Sequence, residues 1–574
     1  MNTLTPTQAP ETTRVARRTA WELLTVAGFC AFLFYFGLGA FGVVGADEPR
    51  YAQIAREMLE RRDVITPMLY GKPWLEKPPL YYWRAMESFA VFGVHDWSAR
   101  LPSGAAATLL VFIMYFFMRA FRRRSELNAA LMTAACVGTI GFARAAGTDM
   151  LLAAAFAIGM LFWWMSFHPP TTIPGSPEAL TPPPATPSVL WNRPKLWLAL
   201  FYLFMAFGML AKGPVAPVLA GVIIILFAAL QRDWTLIRRT LWWPGIFLFV
   251  LVAAPWYIAV QVKNPQFFRE FILQHNLERF ATNRYHHKEP FWYYVPVTLA
   301  AALPWTGFFV AGFINGVRRW RHKTGEPFRL FLALWIVVVV VFFSFSISKL
   351  PGYILPAVPA CTLLAAIYLR ESNDKRSWAL IVSQGVFSAL LLSAALVYPR
   401  FALHAHAPFP TQAKIAVAGV ALAVFTGTVF TLAWQGMGVL RLVVLAPLVV
   451  GFAFLIKTGG PVMDATMSAR PVAAAIAEID GGRAPVALFK ASREVEYGLA
   501  FYRNRGIVRY ERDGIPAADH LVVVPDAYTD DLLKAVRPKR ASHIGGYSPQ
   551  HLEFYWISPE MEHMQHGLMA PKSP

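Results

Sequence analysis

Between Trp21 and Lys457 the chain alternates apolar runs with short polar segments. Each run is about 20 residues long, enough to cross a hydrocarbon core of ~30 Å as a helix. The first, Trp21–Val44, follows Arg14, Arg17 and Arg18 and is too long for the apolar core of a secretory signal, so it predicts a retained transmembrane helix. Basic clusters punctuate the later runs at Arg122–Arg124, at Arg232 with Arg238 and Arg239, at Arg318, Arg319 and Arg321, and at Arg370, Lys375 and Arg376. Holding these clusters on the cytoplasmic side predicts about thirteen crossings, with the N-terminus inside and the C-terminus outside. Two long loops, 45–100 and 263–290, then share the outer face, while the Pro- and Thr-rich segment 169–195 reads as a flexible linker.

Beyond residue 458 the pattern changes. Apolar runs shrink to strand length at Pro485–Phe489, Gly506–Tyr510, Leu521–Pro525 and Phe554–Ile557. Helical periodicity appears between them at Ala465–Ile479, Glu494–Arg503 and Thr529–Val536. The expected architecture is therefore a polytopic α-helical membrane domain over 1–458, with amphipathic helices in its outer loops, and a small α/β domain over 459–574 on the outer surface.

Composition agrees with that class. Of 574 residues 56% are hydrophobic and 15% charged, against about a quarter charged in a soluble chain. The net charge of +19 is distributed over the loops, which excludes a pooled nucleic-acid surface. Cys30, Cys136 and Cys361 all lie in apolar runs and read as small core residues.

Candidate chemistry gathers at the outer boundary. The first loop carries Asp47-Glu48-Pro49-Arg50-Tyr51-Ala52, then Ala55–Leu59 in the pattern of an amphipathic helix, then Trp74-Leu75-Glu76-Lys77-Pro78-Pro79-Leu80-Tyr81-Tyr82-Trp83. Aromatics at headgroup depth suit a plain interfacial belt. A lysine there also suits a lipid-linked phosphate. Asp149 ends the third run, either as an N-cap or as a working acid. Lys212 and Lys349 sit before Gly213-Pro214 and Leu350-Pro351-Gly352-Tyr353, against the positive-inside bias. The second loop adds His275, Arg279, His286 and His287. Two histidines on a loop are a polar pair, or, with Glu76, a donor set that suits zinc. No Gly-rich phosphate loop is present for a nucleotide.

At these residues the sequence resembles the GT-C glycosyltransferases that use polyprenyl-phosphate sugars. Within them it is most similar to the 4-amino-4-deoxy-L-arabinose transferases of lipid A, relatives of the protein O-mannosyltransferases. The carrying stretches are Asp47–Ala52, Arg56–Leu59, Glu76–Pro78, Thr148-Asp149, Lys212-Gly213, Arg279-Phe280, Pro290–Pro296, Leu303–Trp305 and Ser348–Pro356. The residue before His275, where the resemblance leads one to expect an acid, is Gln274.

The resemblance implies an inverting, metal-independent transfer of aminoarabinose from undecaprenyl phosphate to lipid A phosphates at the periplasmic face of a bacterial inner membrane. The outcome would be resistance to polymyxin and cationic peptides. It places the catalytic carboxylate at Asp47, with Asp149 next in line, and Lys77, Arg50, Tyr51, Glu76, Tyr81, Lys212, Arg279, Lys349 and Tyr353 around the lipid phosphate and sugar. Asp47 is expected to point into a shared cavity while Glu48 anchors Arg50 or the loop. No cofactor is required on this reading, and zinc at Glu76, His286 and His287 is incidental. The rivals are another envelope transferase, such as a protein O-mannosyltransferase, and a lipid flippase. A flippase should carry ionisable residues at mid-membrane, whereas here they gather at one face.

Overall fold

The computed structural model describes residues 11–168, 193–271, 289–322, 324–372, 440–481 and 484–558. Among them six helices are long and apolar enough to cross a membrane: Asp96–Phe121, Asp149–Phe167, Pro194–Lys212, Trp243–Lys263, Pro327–Ser344 and Pro351–Glu371. Two further pairs, Glu126–Ala135 with Val137–Ala143 and Phe291–Ala301 with Thr306–Arg321, are bent by 61° and 117°. Counting each pair as one span gives eight. The expected thirteen includes runs within 373–439, which lie outside the described residues.

The two bends meet. The amide of Val137 donates to the carbonyl of Leu303 at 2.9 Å, one break supplying the hydrogen bond that the other lost. Gly138 lies so close to Ala301 that a Cβ would stand 3.0 Å from its methyl. The Asp149–Phe167 helix is apolar all round and almost entirely buried, from Met150 to Ser166, as a helix at the centre of a bundle must be.

The first helix ends earlier than the apolar run predicts. It spans Glu11–Cys30, widens into a π-helical turn at Ala31–Tyr35, and leaves helical geometry at Phe36. Gly37 follows in the left-handed region at φ 60°. The carbonyls freed by this exit are claimed by two buried arginines from neighbouring helices. Arg144 donates to Leu33, Phe36 and Gly37, and Arg100 to Leu38, Phe41 and Gly42. An apolar stretch can thus stop being helical inside protein, because its backbone groups are satisfied there.

After a short hairpin of β1 Met68–Leu69 and β2 Lys72–Pro73, the remaining strands lie in the tail: β3 Val486–Leu488, β4 Val508–Arg509, β5 His520–Pro525, β6 Arg540–Tyr547 and β7 Leu552–Ser558. They form a five-stranded mixed sheet in the order β4-β3-β5-β7-β6. The first three pair parallel, and β7 pairs antiparallel with both β5 and β6. Strand β6 was not expected, since Gly545 and Gly546 interrupt its pattern and a bulge falls at His543/Gly545. The helix expected over Ala465–Ile479 is two helices, Gly460–Met467 and Arg470–Asp480.

Candidate active site

The loop 45–100 is shaped by local chemistry. Asp47 and Glu48 open the Asp47–Arg61 helix, where carboxylates favour the positive end of the dipole. Pro49 sits in the first turn, where its missing N–H costs nothing. Tyr51, Ile54, Ala55 and Met58 form its buried stripe, and Arg62 ends it at φ 55°. The hairpin of β1 Met68–Leu69 and β2 Lys72–Pro73 turns through Tyr70 and Gly71, both at positive φ. The Glu57 carboxylate accepts from the Tyr70 and Gly71 amides at 2.9 and 3.2 Å. This hairpin carries Glu76 back to the start of the helix.

There the two adjacent acids part company. Asp47 pairs with Arg50 Nη2 at 2.5 Å, and its side chain keeps 59% of its surface exposed. The buried acid is Glu48. It accepts from Arg100 Nε at 3.2 Å and Nη2 at 2.7 Å, from the Val44 amide at 2.9 Å and from the Ala146 amide at 2.7 Å. Of the two expectations for Glu48, that it anchors Arg50 or the loop, the structure shows the second: it holds the loop at Val44 and pairs with Arg100, while Arg50 pairs with Asp47. The Ala146 contact also ties Glu48 to the turn that ends at Asp149.

Arg50 is buried, with Glu76 Oε2 at 3.6 Å. Its guanidinium lies 5.2 Å from the ring centroids of Tyr51 and Trp74 and 5.5 Å from that of Tyr497. Burial opposes its charge, but the negative ends of Tyr51, Glu76, Asp47 and Tyr497 outweigh that and raise its pKa. Three buried donors in this neighbourhood, Arg50 Nε, Trp74 Nε1 and the Tyr82 hydroxyl, have no protein partner. Burial pushes the Tyr82 phenol upward, so it stays a neutral donor. Buried donors without acceptors are costly, and three together suit an anion brought by a ligand. Lys77 is buried one residue beyond Glu76.

A second group forms at the start of the Asp149–Phe167 helix. Asp149 opens its helix without capping it, and its carboxylate is bound by Lys212 Nζ. Lys212 lies 4.7 Å from the centroid of Tyr353. Gly352 is required here, since a Cβ would stand 2.8 Å from Asp149 Oδ1. Lys349 is buried and donates to the Ser346 carbonyl at 2.6 Å. Burial lowers its pKa, against the pull of Glu289. Thr148 Oγ1 and Ser348 Oγ are also buried without partners.

The structure thus gathers Asp47, Arg50, Tyr51 and Glu76 into one group and Asp149, Lys212 and Tyr353 into another. Tyr81 packs beside the first group, its ring centroid 6.0 Å from that of Tyr51 and 5.9 Å from that of Tyr82. It is fully buried and donates to the Ala99 carbonyl at 2.9 Å, so it holds two helices together. Arg279, His286 and His287 lie outside the described residues. Among the described residues no group of three or more His, Cys, Asp or Glu side chains is placed to hold a metal.

Sequence reasoning missed Tyr82 and Trp74, which it absorbed into an aromatic belt. It also missed Arg100 and Arg144, although arginines in apolar surroundings near the expected outer face break the same charge bias that singled out Lys212. Tyr497 carried no signal at all.

Comparison with known proteins follows the same geography. The dolichyl-phosphate-mannose-protein mannosyltransferase family matches residues 19–269. An undecaprenyl phosphate-alpha-4-amino-4-deoxy-L-arabinose arabinosyl transferase of Aeromonas hydrophila is 30% identical over 421 residues, 72% of this chain and 71% of the relative. The protein of that name from Serratia proteamaculans is 31% identical over 359 residues, and the match spans 62% of this chain and only 60% of the relative's length. Among solved structures, ArnT from Cupriavidus metallidurans bound to undecaprenyl phosphate superimposes with a TM-score of 0.75 at 22% identity, over 94% of this chain and 98% of that one. The archaeal oligosaccharyltransferase AglB from Archaeoglobus fulgidus superimposes with a TM-score of 0.51 at 11% identity, over 95% and 75%. The chain has the GT-C membrane fold that these two share.

Proposed function

Since this chain belongs to the undecaprenyl phosphate-alpha-4-amino-4-deoxy-L-arabinose arabinosyl transferase family, we propose that it transfers 4-amino-4-deoxy-L-arabinose from undecaprenyl phosphate to lipid A phosphates. The observation that carries this reading is the set of unpartnered buried donors around Arg50, the partner of Asp47. They are read here as the donors that receive the anionic part of the substrate.

In the proposed reaction a phosphate oxygen of lipid A forms a bond to C1 of the sugar. The bond from C1 to the undecaprenyl phosphate oxygen breaks, C1 inverts, and the lipid phosphate leaves with the electron pair. Lys77 and Arg50 would hold the phosphate on which negative charge grows, where stabilisation lowers the barrier directly. Lys212, Lys349 and Tyr353 would line the other side of the substrate, and Tyr51 would close the floor under Arg50. A lipid A phosphate is already ionised at neutral pH and needs no general base. Asp47 would therefore orient the donor or hold its ammonium group, with Asp149 the reserve candidate. No metal is assigned a step, and full activity after exhaustive chelation is the expected result.

The setting completes the proposal: a bacterial inner membrane, about thirteen crossings, and a site and α/β domain in the periplasm. A C-terminal alkaline phosphatase fusion should be active in an exporting host, and an inactive fusion overturns the topology. The function itself is tested with purified protein, the lipid-linked aminoarabinose and lipid A, read as the mass gain of lipid A. No gain sinks the reading.

A second reading rests on the mannosyltransferase family match over residues 19–269. There a polyprenyl-phosphate mannose would pass to a protein hydroxyl, and Asp47 would be the base. Serine- and threonine-bearing acceptors in the same assay separate the two.

A further inference from the structure

The Arg493–Arg503 helix of the sheet domain has two apolar faces. Val495, Leu499 and Ala500 pack into the domain's own core. Tyr497 and Phe501, one helical turn apart, instead enter the core of the membrane helices. The same helix lies along the one that begins with Asp47. Arg56 Nη1 donates to the Phe501 carbonyl at 3.2 Å, and Asn504 Nδ2 to Glu60 at 3.0 Å.

Just upstream, the segment that leads into Asp47 is bound as well. Tyr502 donates to Asp96 at 2.5 Å and accepts from the Val43 amide at 2.8 Å. The Gly42 amide donates to Asp464 at 2.7 Å, and Arg470 bridges Asp464 and Asp96 at 2.9 Å each.

We propose that the sheet domain completes the active site: Tyr497 is a positioning residue whose ring fixes the Arg50 guanidinium, and through it Asp47. The proposal rests on the functional reading above for the site it serves. Tyr497 is 7% exposed and supplies one of the rings around Arg50, the other two coming from the loop itself. A guanidinium plane held by aromatic faces has few orientations, and when desolvated such a contact is strong. Arg50 in turn is the hydrogen-bonding partner of Asp47. Tyr497 therefore acts without touching substrate.

The test uses the full chain in lipid. Tyr497→Ala should lower transfer by about 10- to 30-fold, the size of a desolvated cation–π contact. Tyr497→Phe, which keeps the ring, should retain at least about half the activity. In an Arg50→Lys background, where the planar group is gone, Tyr497→Ala should cost little more. Wild-type transfer by Tyr497→Ala overturns the proposal. So does a loss of equal size in both backgrounds, which would mean general damage.

Hydrogen exchange over Asp47–Arg61 in the ligand-free protein reads the contact without any substrate. Faster exchange in Tyr497→Ala is expected, and unchanged exchange overturns the positioning role. Should the wild type transfer no aminoarabinose while this exchange difference persists, the functional reading falls and the contact stands.

Discussion

Two carboxylates one residue apart end in opposite conditions. Glu48 keeps 10% of its side chain exposed and faces an arginine that is wholly buried. Between Arg100, Val44 and Ala146 both of its oxygens are occupied. Asp47 has 59% of its side chain exposed, and its partner Arg50 has an Nε that meets nothing. A saturated ion pair resists change and has nothing to offer a ligand. An unsaturated one, in reach of other orphaned donors, is incomplete until something binds. The first region holds the second in place, and the two should fail in different ways when altered.

The largest effect is expected on the saturated side. Glu48→Gln leaves the Arg100 charge buried and under-compensated, and should cost about 3–5 kcal/mol of stability. Replacing Glu48 and Arg100 together by methionine strands no charge, but it orphans the carbonyls of Leu38, Phe41 and Gly42 and the amides of Val44 and Ala146, so the double variant should recover little. Thermal unfolding in detergent reads both, and an unchanged Tm for Glu48→Gln would erase the contrast.

Asp47→Asn should do the reverse. The exposed side chain should change stability by no more than about 0.5 kcal/mol, while transfer falls at least about 100-fold. Donor affinity should carry most of that loss if Asp47 steadies the ammonium group. Intact affinity with collapsed single turnover would make it a base. Normal values of both would move the catalytic carboxylate to Asp149.

A smaller coupling is expected between Asp149 and Lys212, which are each partly exposed. A double-mutant cycle of Asp149→Asn and Lys212→Met on transfer should show about 1 kcal/mol of interaction. Strict additivity would separate them.

The smallest effect concerns pH. Burial lowers the pKa of Lys349 from the ordinary 10.5. The charged form is present below that lowered pKa and is lost as pH rises through it, so activity should decline at a pH below that of an ordinary lysine. Lys349→Arg keeps its charge throughout and should move the decline upward. A profile identical to wild type would take Lys349 out of the site.

What was legible came from local rules. The run lengths show a helical membrane protein, and Ala55–Leu59 is visible as an amphipathic stretch, though the helix it belongs to begins earlier, at Asp47. The strands β3, β5 and β7 are visible as short apolar runs. The end of the first helix was not legible, because nothing in Trp21–Val44 itself says that Arg100 and Arg144 will take its carbonyls. Strand β6 was hidden by glycines whose tolerance depends on its neighbour.

The site divides in the same manner. Sequence by itself determined which charged and aromatic residues stand at the ends of the apolar runs, since charges within an apolar chain are conspicuous against the membrane's demand for apolar side chains. It also determined the turn at Gly213, which depends on the backbone freedom of glycine. Only the tertiary structure decided that Glu48 is the buried acid and Asp47 the open one, that Tyr81 holds helices, and that Tyr497 arrives beside Arg50 from 447 residues further along the chain. Helical and strand periods are written in neighbouring residues. Ion pairs and ring contacts depend on which distant surfaces meet, and the packing of elements selects that.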